Sequence, residues 1–114
     1  MPHRTKVLII ENDDFLREIL GNLLHKKELY IFDAPTIEKA VHLVGEQHIQ
    51  KIIIGTSSDD FEGKKTIHFL RKKFSNPRIF LINQTTKPVS YLPKQDQILE
   101  SKLSIKSIIG RIVE

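Results

Sequence analysis

The sequence contains no cysteine, and its apolar runs are short. Without cysteine, the chain cannot form a disulfide framework, a thiolate zinc site or a cysteine nucleophile. No apolar run approaches the roughly 18 residues that a membrane-spanning helix requires, which excludes a transmembrane protein. The opening residues 1–6 lack the apolar stretch of a secretory signal, so we expect a cytoplasmic protein with no membrane partner.

Several motifs of enzymes and cofactor-binding proteins are also missing. The five glycines are isolated from one another, so no glycine-rich loop can cradle a phosphate or a dinucleotide. No Gly-x-Ser-x-Gly sequence marks a hydrolase nucleophile. The five histidines include no pair four residues apart, the spacing that places two metal ligands on one helix face. We therefore expect no enzymatic activity, no cofactor and no histidine metal site.

Acidic residues are scarce in the second half of the chain. Residues 1–57 carry 7 basic and 8 acidic residues, whereas residues 58–114 carry 11 basic and 6 acidic ones, and the net charge is +4. Such an excess permits nucleic acid or an acidic protein as a partner. Because the basic residues are scattered and lack interleaved aromatics, a solvated basic surface is the favoured interpretation.

Short apolar runs alternate with segments of helical periodicity along the 114 residues, which suffice for one domain. The predicted strands cover residues 7–10, 29–32, 52–54, 79–82 and 97–99, and the predicted helices cover residues 15–24, 37–44, 67–74 and 105–113. This alternation predicts a single α/β domain over residues 1–114, a doubly wound three-layer sandwich with a five-stranded parallel sheet in the order 2-1-3-4-5.

The stretch from residue 83 to residue 101 departs from this alternation. Pro88 and Pro93 lie inside it, and each opposes a continuous helix. We expect a loop or a short turn over residues 83–97, so that the helix between the fourth and fifth strands is shortened or missing.

The segment KVLIIENDDFLREIL at residues 6–20 resembles the opening of the receiver domains of two-component response regulators. The likeness continues through the apolar third strand, the turn at Gly63, the strand after Pro77 and the residues 102–104 before the last helix. It covers essentially the whole chain and implies the CheY-like, flavodoxin-like fold and a role in phosphorelay signal transduction of the bacterial type.

In working receiver domains, an aspartate at the end of strand three accepts a phosphoryl group. Two acids after strand one bind Mg²⁺, a Ser or Thr ends strand four, and a Lys follows strand five, so that metal and lysine neutralise the transferred group. The corresponding positions here hold Glu11, Asn12, Gly55, Ile82 and either Ser101 or Lys102. Since glycine has no side chain to phosphorylate, the resemblance implies a degenerate pseudo-receiver.

Two acids near the first strand could still serve a metal. Glu11 and Asp13 could hold Mg²⁺, but with Asn12 neutral we expect weak binding at most. Capping of the following helix is the preferred role of Asp13. The loop acids Asp59 and Asp60 could in principle accept a phosphoryl group, although a misplaced acceptor reacts slowly.

The resemblance without the switch chemistry predicts a protein-interaction module that acts independently of phosphorylation. The candidate partner surface is an apolar anchor rimmed by cations, formed by Tyr91, Leu92, Lys94, Lys106 and Arg111. Alternatively, Tyr91 and Leu92 only cover the edge of the sheet. A second hypothesis is a nucleic-acid-associated transcriptional regulator that uses the basic second half. The sequence leaves the oligomeric state open.

Overall fold

Strands and helices alternate in the computed structural model, which describes residues 4–56, 62–84, 97–100 and 104–113. The strands are β1 (Lys6–Ile10), β2 (Tyr30–Ala34), β3 (Lys51–Gly55), β4 (Arg78–Asn83) and β5 (Gln97–Glu100), and the helices are α1 (Asp14–His25), α2 (Ile37–Val44), α3 (Lys64–Lys73) and α4 (Ile105–Val113). The predicted α/β alternation is confirmed. A loop or short turn is predicted over residues 83–97, and of these, residues 85–96 lie outside the described residues.

Every strand pairs in parallel with its neighbours. The four longer strands lie in the order β2-β1-β3-β4, and the short strand β5 pairs with the remaining edge of β4. The chain therefore starts near the middle of the sheet, moves to one edge and then crosses back, which is the topology of a doubly wound sheet. The predicted doubly wound parallel sheet is confirmed.

The central strands bury apolar side chains on both faces, as expected for a parallel sheet covered by helices. Because side chains alternate along a strand, successive residues of each strand contribute to opposite faces. One face packs with α2 and α3 and includes Leu8, Ile10, Ile52, Ile54, Ile67, Leu70, Ile79 and Leu81. The other face packs with α1 and α4 and includes Val7, Ile9, Leu20, Leu24, Ile53, Phe80, Ile82 and Ile108.

Helix starts follow local capping chemistry. The Asp13 carboxylate accepts a hydrogen bond of 2.9 Å from the Leu16 amide at the start of α1. The Ser104 hydroxyl accepts one of 3.1 Å from the Ser107 amide in α4. The predicted capping role of Asp13 is thus confirmed, and Ser104 caps α4 in the same way. Strand β2 lies later than predicted and extends to Ala34, whose carbonyl accepts a hydrogen bond of 3.1 Å from the Glu11 amide.

Candidate functional site

The carboxyl ends of β1, β3 and β4 meet at one edge of the sheet, where doubly wound folds place their sites. Ile10 lies opposite Ile54, and Gly55 lies opposite Ile82, so the pairing brings Glu11, Gly55 and Ile82 onto adjacent strand ends. The sequence predicts this convergence from strand order alone. Ser101 and Lys102, the candidates for the lysine position, lie outside the described residues.

Glu11 is the buried acid of this edge, with only 1% of its surface exposed. Its Oε2 accepts a hydrogen bond of 3.0 Å from the Asp13 amide, and its Oε1 accepts one of 3.4 Å from Gln84 Nε2. Both carboxylate oxygens are therefore engaged by N–H donors of the protein. Hydrogen bonds of this kind compensate a buried carboxylate for part of its lost hydration.

Gly55 leaves a space that the neighbouring side chains fill. A Cβ atom built at this position would lie 2.7 Å from Gln84 Oε1 and 3.3 Å from Glu11 Cδ, and nearer still to Glu11 Oε1. Any side chain at residue 55 would therefore require Glu11 and Gln84 to move. The glycine has no group that could accept a phosphoryl group. Because it has no side chain, the side chains of Glu11 and Gln84 occupy the position instead.

Ile82 cannot supply the hydroxyl that its position provides in working receiver domains. Its side chain is buried in the apolar cluster between the sheet and helices α1 and α4. A hydroxyl is nevertheless present nearby, because Thr56 Oγ1 accepts a hydrogen bond of 2.8 Å from the Gln84 amide. The Thr56 amide in turn donates to the Ile82 carbonyl at 3.1 Å. These bonds tie the end of β3 to the end of β4.

Gln84 is the residue of this edge that sequence reasoning misses. It joins Glu11 through its side chain and Thr56 through its backbone amide. The signal in the sequence is weak, because a single glutamine after a strand is an ordinary loop residue. Its partners are distant in the chain, and only the strand pairing brings them together.

Arg17 supports the start of α1 beside Glu11. Its guanidinium donates to the Glu11 carbonyl at 2.7 Å and to Asp14 Oδ1 at 2.6 Å. Its Nε lies 3.4 Å from Asp33 Oδ1 on β2. The arginine thus links the β1–α1 turn to strand β2.

The described residues form a poor ligand set for the Mg²⁺ ion of working receiver domains. Within residues 4–56, 62–84, 97–100 and 104–113, no group of three or more histidine or acidic side chains could hold a metal. Asp13 caps α1, Glu11 accepts two N–H groups, and Gly55 contributes no side chain. Weak binding at Glu11 and Asp13 stays a prediction.

Part of the candidate partner surface is described. Lys106 and Arg111 are exposed on α4, which packs on the same face of the sheet as α1. Tyr91, Leu92 and Lys94 lie outside the described residues, as do the loop acids Asp59 and Asp60. Among the helices that are described, none is long and apolar enough to cross a membrane.

Solved structures of response-regulator receiver domains share this architecture. A receiver domain protein from Bacillus halodurans matches with a TM-score of 0.81 and 11% identity, covering 97% of this chain and 96% of that one. The chemotaxis response regulator CheY4 of Vibrio cholerae matches with a TM-score of 0.78 and 14% identity, covering 97% of this chain and 98% of that one.

A third neighbour was solved with a phosphorylated residue. A response regulator protein from Burkholderia pseudomallei, whose crystal structure contains a phosphorylated aspartic acid, a calcium ion and citrate, matches with a TM-score of 0.76 and 16% identity. The match covers 95% of this chain and 66% of that protein. The three likenesses establish the fold, which is the CheY-like fold of receiver domains. No protein-family model and no curated protein matches the sequence.

Proposed function

We propose that the protein is a pseudo-receiver, a receiver-like signalling domain that works without phosphorylation and without enzymatic activity. The observation that carries this proposal is the packing at Gly55, where the Glu11 carboxylate and the Gln84 amide occupy the place of an acceptor side chain. The cytoplasmic location expected from the sequence belongs to the same proposal.

The chemistry of phosphoryl transfer explains why this packing matters. The reaction needs an acceptor oxygen in line with the leaving group and positive charge that neutralises the transferred phosphoryl group. In this chain residue 55 has no acceptor, and the Glu11 carboxylate that lies against this position is held by the Asp13 amide and by Gln84. The crystal structure from Burkholderia pseudomallei holds a phosphorylated aspartic acid, whereas this chain ends its third strand in glycine.

The proposed role is then protein interaction through a permanently available surface. In a two-state switch, a ligand or modification must contact the two states differently to shift their populations. A domain whose acceptor position is filled by its own side chains has no such modification to shift its population between two states. We therefore propose that the domain binds its partner in a single state, with Lys106 and Arg111 contributing to one candidate surface.

Incubation with Mg²⁺ and acetyl phosphate, followed by intact-mass analysis, tests the proposal. We expect no acid-labile adduct of about 80 Da on the wild-type protein, while a working receiver domain treated in parallel acquires one. Gly55→Asp alone should also stay unmodified, because its side chain would collide with Glu11 and Gln84. A stoichiometric adduct on the wild type, for example at Asp59 or Asp60, would contradict the proposal.

A further inference from the structure

A groove separates α2 from α3 on the face of the sheet opposite to α1 and α4. It is a shallow depression of about 480 Å³, open to solvent, and is lined by Ile37, Glu38, Val41, Glu62, Lys65, Thr66 and Phe69. Phe69 is 44% exposed and lines the groove together with Ile37 and Val41. The groove therefore offers an apolar floor to a ligand that can bury a phenyl ring.

Helix α3, which forms one wall of this groove, carries positive charge. Its sequence, KKTIHFLRKK, contains five basic residues and no acidic one. The exposed face of α3 is thus a cationic strip beside an apolar groove, which is complementary to an acidic, amphipathic surface.

The placement of the first two lysines works against the stability of α3. Lys64 and Lys65 lie in the first turn, where the helix dipole disfavours cations, and no side chain caps this helix. By contrast, α1 begins with Asp14 in its first turn and is capped by Asp13. Helix stability therefore does not account for Lys64 and Lys65, whereas Arg71, Lys72 and Lys73 in the last turn suit the helix dipole.

We propose that the α2–α3 groove docks an acidic amphipathic helix of a partner protein, with its apolar side chains against Phe69 and its carboxylates over α3. A protein segment fits better than a nucleic acid because Glu38 and Glu62 lie in the groove wall. A helix can direct its acids toward α3 and away from these carboxylates, whereas a nucleic acid carries a negative charge at every nucleotide.

This inference rests on the proposed interaction role but assigns it to a different face from Lys106 and Arg111. Docking at the groove does not depend on whether the protein becomes phosphorylated. Phosphorylation of the wild type would therefore overturn the pseudo-receiver proposal but would not contradict the docking proposal. Failure of the binding experiment below would overturn the groove and leave the phosphorylation result standing.

The probe is a fluorescently labelled helical peptide of about 15 residues, with leucine on one face and glutamate and alanine on the other. Fluorescence anisotropy measures its affinity, and amide chemical shifts of the labelled protein locate its site. We expect saturable binding that weakens with salt, with the largest shifts in α2 and α3. A peptide of the same composition in scrambled order, which lacks the apolar face, should bind at least about tenfold more weakly.

Two matched pairs of variants separate binding from folding. Phe69→Ala should weaken binding about tenfold, whereas Leu43→Ala, which truncates another exposed apolar residue of this layer outside the groove, should not. Lys65→Glu and Lys39→Glu each reverse an exposed charge in the first turn of a helix, α3 or α2, and Lys39 does not line the groove. Both reversals should stabilise their helix through its dipole, but only Lys65→Glu should weaken peptide binding.

Three outcomes would overturn the docking proposal. The first is the absence of saturable binding at about 1 mM peptide, a concentration that detects even weak association. The second is equal binding of the scrambled peptide, or wild-type affinity in both Phe69→Ala and Lys65→Glu. The third is that a DNA duplex binds more tightly than the peptide, with an affinity that falls steeply with salt. This result would favour the nucleic-acid hypothesis over the docking proposal.

Discussion

In the body of the sheet, β1, β3 and β4 bury apolar side chains on both faces, whereas their carboxyl ends lead into a polar edge. The body contains residues such as Ile53 and Phe80, which are almost completely buried. The edge contains Glu11, Gly55 and Gln84, which are joined by hydrogen bonds or by close packing. The two regions share the same strands, but different interactions hold them together.

If the domain is the pseudo-receiver that we propose, this difference explains how its fold persists without receiver chemistry. Burial of apolar surface drives folding, and it depends on the alternating pattern within the strands rather than on the residues after them. The edge residues are then free to change, provided that buried polar groups find partners. Here Glu11 finds its partners in the Asp13 amide and in Gln84. Fold and function are therefore specified by separate residues.

Truncation in the body of the sheet should have the largest effect. Phe80 is completely buried at the centre of the face that packs with α1 and α4. We expect Phe80→Ala to lower the free energy of unfolding by about 3–5 kcal/mol, because it removes a large buried surface and leaves a cavity. Urea denaturation measures this loss.

Phe15→Ala is the matched control for this truncation, since the Phe15 ring is 74% exposed on α1. It should change the free energy of unfolding by no more than about 0.5 kcal/mol. Equal losses in the two variants would show that burial in the body does not dominate the stability of the domain.

The regular body of the domain is the part that sequence reasoning predicts well. Runs such as Ile52-Ile53-Ile54 are too apolar and too β-branched for a surface segment, and their order with the helices leaves few topologies. The same reasoning places Gly55 and Ile82 on neighbouring strand ends, as the structure confirms. Capping by Asp13 is also predictable, because it depends on residues close in the chain.

The hydrogen-bonded edge is the part that sequence reasoning does not reach. Gln84 bonds to Thr56 and Glu11, which are 28 and 73 residues away in the chain. Such contacts depend on strand register and on side-chain rotamers, neither of which leaves a periodic pattern in the sequence. The Glu11 carboxylate also fills the space above Gly55. This contact becomes visible only when both residues are placed in three dimensions.

Removal of the buried acid should have the second-largest effect. Glu11→Ala leaves the Asp13 amide and Gln84 Nε2 without their acceptor and opens a small void. We expect a loss of about 1–3 kcal/mol in the free energy of unfolding. Glu11→Gln keeps the size and one acceptor oxygen, so it should lose less. A Glu11→Ala variant as stable as the wild type would show that the edge contributes nothing to stability.

Adding a side chain at Gly55 tests whether Glu11 fills the acceptor position. Gly55→Ala should destabilise the wild-type protein by about 1 kcal/mol, because the new methyl group must displace Glu11 and Gln84. In a Glu11→Ala background the same substitution should cost less, since much of the obstruction is gone. The double-mutant cycle measures this coupling from urea denaturation curves. Additive effects would mean that the two positions do not compete for space.

The smallest effect concerns the opposite end of β3, where Lys51 lies at the amino edge of the sheet. Its Nζ donates a hydrogen bond of 2.6 Å to the Ile112 carbonyl at the end of α4. Burial, and to a lesser extent the charge of Arg78, lowers the pKa of Lys51 in the folded protein. The folded state therefore binds fewer protons than the unfolded state at alkaline pH, so this residue makes stability rise as the pH increases toward about 10.4.

Urea denaturation at several pH values should show the wild type gaining stability relative to Lys51→Met over this range. The exposed variant Lys106→Met should follow the wild type. If the free energies of unfolding of the wild type and of Lys51→Met change with pH in parallel, Lys51 does not link proton binding to folding. The contrast between edge and body would then be confined to the carboxyl ends of the strands.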